Sequence, residues 1–133
     1  MKLEGVKLCF SYHQKKILQE LDFQIEPGKL TSIAGPNGIG KSTLIKCISN
    51  VYQPESGIIY MDNELLKEKP SSELAKILGY VPQSDATNFS ITVYEMVVLG
   101  RRPYIKWRVK KEDKKIVNSI LEKLNLTHLA ERD

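Results

Sequence analysis

Apolar and polar residues alternate near the start of the chain, where Val6, Leu8 and Phe10 interleave with Lys7, Cys9 and Ser11. A period of two turns one set toward a buried face and predicts a strand. After a polar turn at residues 13–16, the series Leu21, Phe23, Ile25 predicts a second strand, antiparallel to the first. Glu26-Pro27-Gly28-Lys29 follows, with proline second and glycine third, as a type II turn requires. The apolar run at residues 30–34 predicts a short buried strand, and a glycine-rich stretch interrupts it. Over residues 41–49 the period lengthens to that of a helix, with Leu44, Ile45 and Ile48 on one face. The local order is strand, glycine loop, helix.

Further along, Gly57 introduces a strand at residues 58–62, and Ser71 or Ser72 caps a short helix carrying Leu74, Ile77 and Leu78. Another strand is predicted at residues 79–82, ending on Gln83. Thr92 and Glu95 have the spacing of a capping box, which starts a helix at Val93 that runs to about Gly100. Ile116, Val117, Ile120, Leu121 and Leu124 form one apolar stripe and predict a helix over residues 111–124. No internal repeat, low-complexity stretch or Gly/Ser/Pro linker divides the chain.

The glycine-rich stretch carries the chemistry. Gly35-Pro36-Asn37-Gly38-Ile39-Gly40-Lys41-Ser42-Thr43 matches G-x-x-x-x-G-K-S/T between an apolar run and a helix, where a phosphate-binding loop belongs. Glycines let the backbone curl so that successive N–H groups converge on phosphate oxygens. The positive end of the helix dipole points the same way. Lys41 then serves as a point charge for the terminal phosphates, and Ser42 offers its hydroxyl to a magnesium ion bridging them. The run Ile58 to Met61 before Asp62 imitates a second, magnesium-binding motif. Its place directly after Pro54-Glu55-Ser56-Gly57 favours a surface strand ending in Asp-Asn.

Charge distribution adds a second feature. The net charge is +4, yet eight cations between Arg101 and Lys115 face only Glu112 and Asp113, a local net of +6. Tyr104 and Trp107 interleave with them. A solvated loop and helix face is the commonest meaning of such a run; docking to a partner or to lipid headgroups comes next, and nucleic-acid binding last. No uncharged apolar run approaches the roughly 18 residues that span a bilayer. The opening Met-Lys-Leu-Glu-Gly-Val-Lys has no apolar segment behind its lysine, so it does not read as a secretory signal and the expected location is cytoplasmic. Cys9 and Cys47, far apart and without a C-x-x-C pair, read as two small buried hydrophobes.

With these residues assembled, the chain resembles the N-terminal half of an ATP-binding subunit of the ABC (ATP-binding cassette) transporter family, over essentially all 133 residues. The resemblance rests on the Gly-Pro-Asn-Gly-x-Gly-Lys-Ser-Thr form of the loop, on Phe10-Ser11-Tyr12 upstream, and on Tyr80-Val81-Pro82-Gln83, similar to the family's Q-loop. It implies an α/β P-loop NTPase fold with an N-terminal antiparallel β subdomain, truncated before the signature motif. Residues 1–133 would then be the N-terminal part of an ABC-type ATP-binding domain, with the phosphate loop at 35–43, the Q-loop around 83 and the start of a helical subdomain at about 92–133. ATP and Mg2+ are the implied cofactors: Tyr12 stacks on adenine, Gly35, Asn37, Gly38, Gly40, Lys41, Ser42 and Thr43 hold the phosphates, and Ser42 and Gln83 contact the metal. Gln83, which in the family also touches the attacking water, is the catalytic candidate. The implied partners are a membrane permease and a second ATP-binding subunit, not nucleic acid, with the chain peripheral on the inner face of the membrane.

The stretch from Thr92 to Tyr104 is similar to subunits that import iron-siderophore, haem or cobalamin chelates, and it suggests that Arg101, Arg102 and Tyr104 lie at the permease-docking surface. Two departures accompany the resemblance. Ile39 is β-branched where the family is usually small, and the Leu-Ser-Gly-Gly-Gln signature, the second acidic motif and the switch histidine do not occur, neither His13 nor His128 standing in a matching context. The expectation is one half of a two-subunit ATP site, without turnover by this chain alone. A small P-loop kinase or GTPase fits less well, because about thirty residues of β pattern precede the loop and no D-x-x-G or N-K-x-D motif appears. An inactive nucleotide-binding fragment is the third reading.

Overall fold

The structure is a computed structural model describing residues 1–83 and 90–132, arranged as two compact units, Met1–Leu74 and Ala75–Asp133. In the first, β1 (Leu3–Tyr12) and β2 (Lys15–Ile25) pair antiparallel as predicted, with Tyr12 opposite Lys15. His13, at φ 54°, supplies the left-handed residue that so short a connection needs. On the other side of β1 lies β3 (Ser56–Met61), followed by the short β4 (Glu64–Leu65), giving an antiparallel sheet of order β2-β1-β3-β4. Asp62 and Asn63 both have positive φ, the signature of a type I′ hairpin turn. The Asp62 carboxylate accepts the Lys2 backbone N–H at 2.7 Å. Asp62 is thus a turn residue that ties down the chain start.

The alternation in β1 changes phase midway. Leu3, Gly5 and Leu8 are buried, whereas Val6, grouped with Leu8 by the simple period, is exposed. Register shifts relative to β2 and β3 fall between these residues, and Lys7 adopts φ 48°. The extra residue of such a bulge flips the inward side of the strand. Opposite it, Gly57 has φ 88°, and a Cβ there would lie 2.4 Å from the Lys7 carbonyl oxygen, so only glycine fits.

Helix α1 (Lys41–Ile48) packs on this sheet through Thr43, Leu44 and Cys47, while Ile45 is exposed. Burial of the thiol pushes the Cys47 pKa up, in keeping with its reading as a small hydrophobe; Cys9 is half-buried, and neither forms a disulfide. The first unit's core is completed by Leu18, Ile59, Met61, Leu66 and Leu74, the last on α2 (Ser71–Ile77).

Two predicted strands do not form. Residues 30–34 have no ladder partner among the described residues and leave Leu30 98% exposed; residues 79–82 are likewise irregular, with Val81 91% exposed. A short apolar run becomes a buried strand only where neighbouring strands supply hydrogen bonds and cover both faces.

The second unit contains α3 (Val93–Gly100) and α4 (Lys111–Lys123). The capping box is present: the Thr92 hydroxyl accepts the Glu95 N–H at 3.2 Å, and the Thr92 N–H donates to the Glu95 carboxylate at 2.9 Å. Val93 and Tyr94 N–H groups donate to the Arg132 and Ala130 carbonyls, so the chain's last turn satisfies further donors at this helix start. On α4 the buried stripe is narrower than predicted, with Val117 and Leu121 inside and Ile116 and Leu124 exposed. No helix among the described residues is long and apolar enough to cross a membrane.

Candidate functional site

The glycine loop ends at Gly40, which caps α1 in a left-handed conformation with φ 109°. A Cβ at Gly40 would stand 2.8 Å from Ile17 Cγ2 and 3.2 Å from Leu18 Cδ2 on β2. Glycine here serves both the turn and the close approach of the loop to the sheet. Helix propagation starts at once, the Leu44 N–H donating to the Gly40 carbonyl at 2.8 Å. That leaves the earlier N–H groups of the first turn without intrahelical partners. No acid sits in this turn to offset the dipole, so the helix start favours an anion.

Lys41 Nζ donates to the carbonyls of Gly35 at 2.8 Å and Pro36 at 2.7 Å. The side chain reaches back from the helix to the beginning of the loop and closes residues 35–41 into a ring. Ser42, a candidate metal ligand, is exposed. Thr43 is only 6% exposed and belongs to the buried face of α1. Ile39 directs its bulk outward, 59% exposed, with Cγ2 3.2 Å from where a Cβ on Gly35 would be. Asn37 and Gly38 form the exposed turn between, Gly38 at φ 82°.

Tyr12 stands at the tip of the β1–β2 hairpin, on the first unit with the loop. Its cross-strand partner Lys15 is two residues from Ile17, the residue that Gly40 approaches. The ring packs edge-on against Phe10, centroids 5.1 Å apart, and against Tyr52 at 5.9 Å, while Phe10 and Tyr52 stack at 5.3 Å. Lys46 of α1 lies 5.0 Å from the Tyr52 ring centre and donates to its hydroxyl at 3.4 Å. Tyr12 and then Lys46 hold the Tyr52 phenol below its usual pKa range. Sequence reasoning missed Tyr52 as a support for Tyr12, since forty residues separate the two rings.

Gln83 is exposed and belongs to the second unit, next to residues 84–89, which lie outside the described ones. In the basic cluster Arg101 turns inward. Its guanidinium donates to Asp113 Oδ1 at 3.1 Å and lies 4.3 Å from the Tyr104 ring centre. Asp113 Oδ2 accepts the Lys110 N–H at 3.0 Å. That backbone bond, then Arg101, keep the Asp113 carboxyl below the usual carboxylate range. Arg101 is therefore engaged in holding α3 to the start of α4, and Arg102 and Tyr104 are the exposed members of the predicted docking group.

Comparison with known proteins finds that a family model described as ABC transporter matches residues 18–133. The chain belongs to the ABC transporter family. An uncharacterised ABC transporter ATP-binding protein of Methanocaldococcus jannaschii is 42% identical over 132 residues, covering 99% of this chain and 51% of its own length. The ferric enterobactin transport ATP-binding protein FepC of Escherichia coli is 35% identical over 135 residues, covering 98% and 49%. A nucleotide-free ATP-binding cassette from an ABC transporter superposes with a TM-score of 0.82 at 28% identity, covering 99% of this chain and 57% of its own. This ABC family chain thus spans about half the length of the curated relatives it matches, and its fold is that of an ABC ATPase with the N-terminal antiparallel sheet.

Proposed function

We propose that this chain supplies the phosphate-binding half of an ATP site in an ABC transporter and works in the import of an iron or other metal chelate. The observation that carries the nucleotide reading is the ring of residues 35–41, closed by Lys41 at an acid-free helix start. In this proposal Gly35, Asn37, Gly38 and Gly40 present backbone to the phosphates, the Lys41 ammonium exchanges its carbonyl partners for phosphate oxygens, and Tyr12 stacks on the base. The exposed Ser42 hydroxyl and Gln83 hold Mg2+, which when bound offsets charge on the phosphates. Gln83 in addition orients the water that attacks. The chelate substrate is suggested by relatives such as the one named for ferric enterobactin transport.

A second ATP-binding subunit completing the site, a permease docked on the segment around Arg102 and Tyr104, and a peripheral position at the inner membrane face belong to the same proposal, as does the division into loop 35–43, Q-loop around 83 and helical subdomain from about 92. The second unit also has an apolar groove of about 520 Å³ bordered by Tyr94, Val98, Leu99 and Val109, which neither Arg102 nor Tyr104 lines.

Thermal melting with ATP and magnesium tests the nucleotide claim. A ligand at a hundred times its Kd stabilises the folded chain by about 2.7 kcal/mol. Lys41→Ala forfeits a charge-assisted bond of about 1.5–3 kcal/mol, so affinity falls about ten- to a hundredfold. A folded chain whose melting ignores ATP and magnesium overturns the reading.

A further inference from the structure

Residues 102–111 read Arg-Pro-Tyr-Ile-Lys-Trp-Arg-Val-Lys-Lys, five cations with no acid among them. Asp113 pairs with Arg101 and the exposed Glu112 follows the stretch directly, so residues 102–113 carry five cations against two acids and stay net positive. Arg102, Lys106, Arg108, Lys110 and Lys111 are all exposed. In their midst Trp107, the chain's single tryptophan, is 96% exposed, with Val109 exposed and Ile105 half-buried beside it. Both ends of the loop are anchored: the Tyr104 N–H donates to the Arg101 carbonyl at 2.9 Å, and the Lys110 N–H to Asp113. The indole is therefore presented from fixed supports.

An indole with aliphatic neighbours, ringed by ammonium and guanidinium groups, matches the chemistry of a membrane–water boundary. There the amphipathic ring sits at headgroup level while the cations meet lipid phosphates. We propose that residues 105–111, adjoining the permease-docking Arg102 and Tyr104, bind anionic lipid headgroups directly, with Trp107 inserted among them. Single-stranded nucleic acid is the poorer match, because it stacks successive bases on several rings. Here the Tyr104 ring already carries Arg101, and the remaining apolar neighbours of Trp107 are Ile105 and Val109. The proposal makes no use of the nucleotide loop and stands or falls separately from it.

The test follows Trp107 emission while the 133-residue chain is mixed with vesicles of phosphatidylcholine alone, or of equal parts phosphatidylcholine and phosphatidylglycerol. Expected are a blue shift and co-sedimentation with the mixed vesicles, binding at least about tenfold tighter than to neutral ones, and release at about 1 M salt, where the Debye length is about 3 Å. The variant K106Q/R108Q/K111Q, confined to exposed side chains, should keep its melting midpoint and lose at least about tenfold in vesicle affinity, since each cation near such a surface is worth about fivefold. Trp107→Ala, read by sedimentation, should also weaken binding. Equal response to both vesicle types, no response to either, an unchanged affinity in the triple variant, or tighter binding of a single-stranded oligonucleotide than of the mixed vesicles would overturn the proposal.

Discussion

Replacing Gly40 with alanine puts two penalties on one atom. The new Cβ meets Ile17 Cγ2 at 2.8 Å, well inside the roughly 3.5–4.0 Å of a good carbon contact, and Leu18 Cδ2 at 3.2 Å. Ile17 yields poorly, because its Cγ2 branches directly from Cβ and moves only with a stiff χ1. Overpacking of this kind costs about 1–3 kcal/mol. The backbone stays at φ 109°, where a side chain costs about another 1–2 kcal/mol. The sum is about 2–5 kcal/mol, a large share of the stability of an ordinary domain. Gly28→Ala provides the reference, since Gly28 has φ 70° with nothing within 4 Å of its added Cβ, and so incurs the backbone cost alone. The entropy gained by restricting the unfolded chain is common to both variants and cancels in their difference. Urea unfolding of the two, compared at equal slope, should place Gly40→Ala about 1–3 kcal/mol below Gly28→Ala. If Gly40→Ala proves no worse than Gly28→Ala, the close approach of loop and sheet is not a determinant of this fold.

Two further outcomes test the supports of the site and of the second unit. Tyr52→Leu removes the ring contacts that hold Tyr12, worth about 0.5–1.5 kcal/mol, so ATP affinity should drop about two- to tenfold while that of inorganic tripolyphosphate is unchanged; an equal loss for both would mean that Tyr52 supports the loop rather than Tyr12. Because the Asp113 pKa is depressed on folding, its contribution is fully present above the ordinary carboxylate range and disappears as pH falls through the lower folded value. The acid limb of helix melting, followed by circular dichroism below about pH 4, should therefore flatten in Asp113→Asn, and an unchanged limb would assign it to other carboxylates.

Much of the site could be read from the sequence because its determinants are local. The loop from Gly35 to Thr43 specifies its own turns, and Thr92 with Glu95 specifies a helix start, within a few residues each. The hairpin also followed from period and turn chemistry, though the bulge at Lys7 moved Val6 outward; the one local hint was Gly57, whose lack of a side chain makes room for it. What failed depended on neighbours. Whether residues 30–34 form a strand is decided by what lies alongside them, and no periodicity encodes that. The same holds for the triad of Phe10, Tyr12 and Tyr52, assembled from a strand and from the turn after α1. Asp113 was half legible: an acid in the first turn of a helix is an ordinary start signal, but its pairing with Arg101 is set by tertiary packing.

The pair of carbonyls that Lys41 already holds makes recognition at this loop an exchange reaction. An incoming anion displaces two oxygens before it gains the ammonium, so its net reward is smaller than a bare cation would give. A singly charged visitor such as chloride or acetate has little to offer in that trade, whereas a chain of phosphoryl groups can engage the amides and the lysine together. In the proposed role, a preference of the loop for polyphosphates over small anions would begin with the protein occupying its own cation.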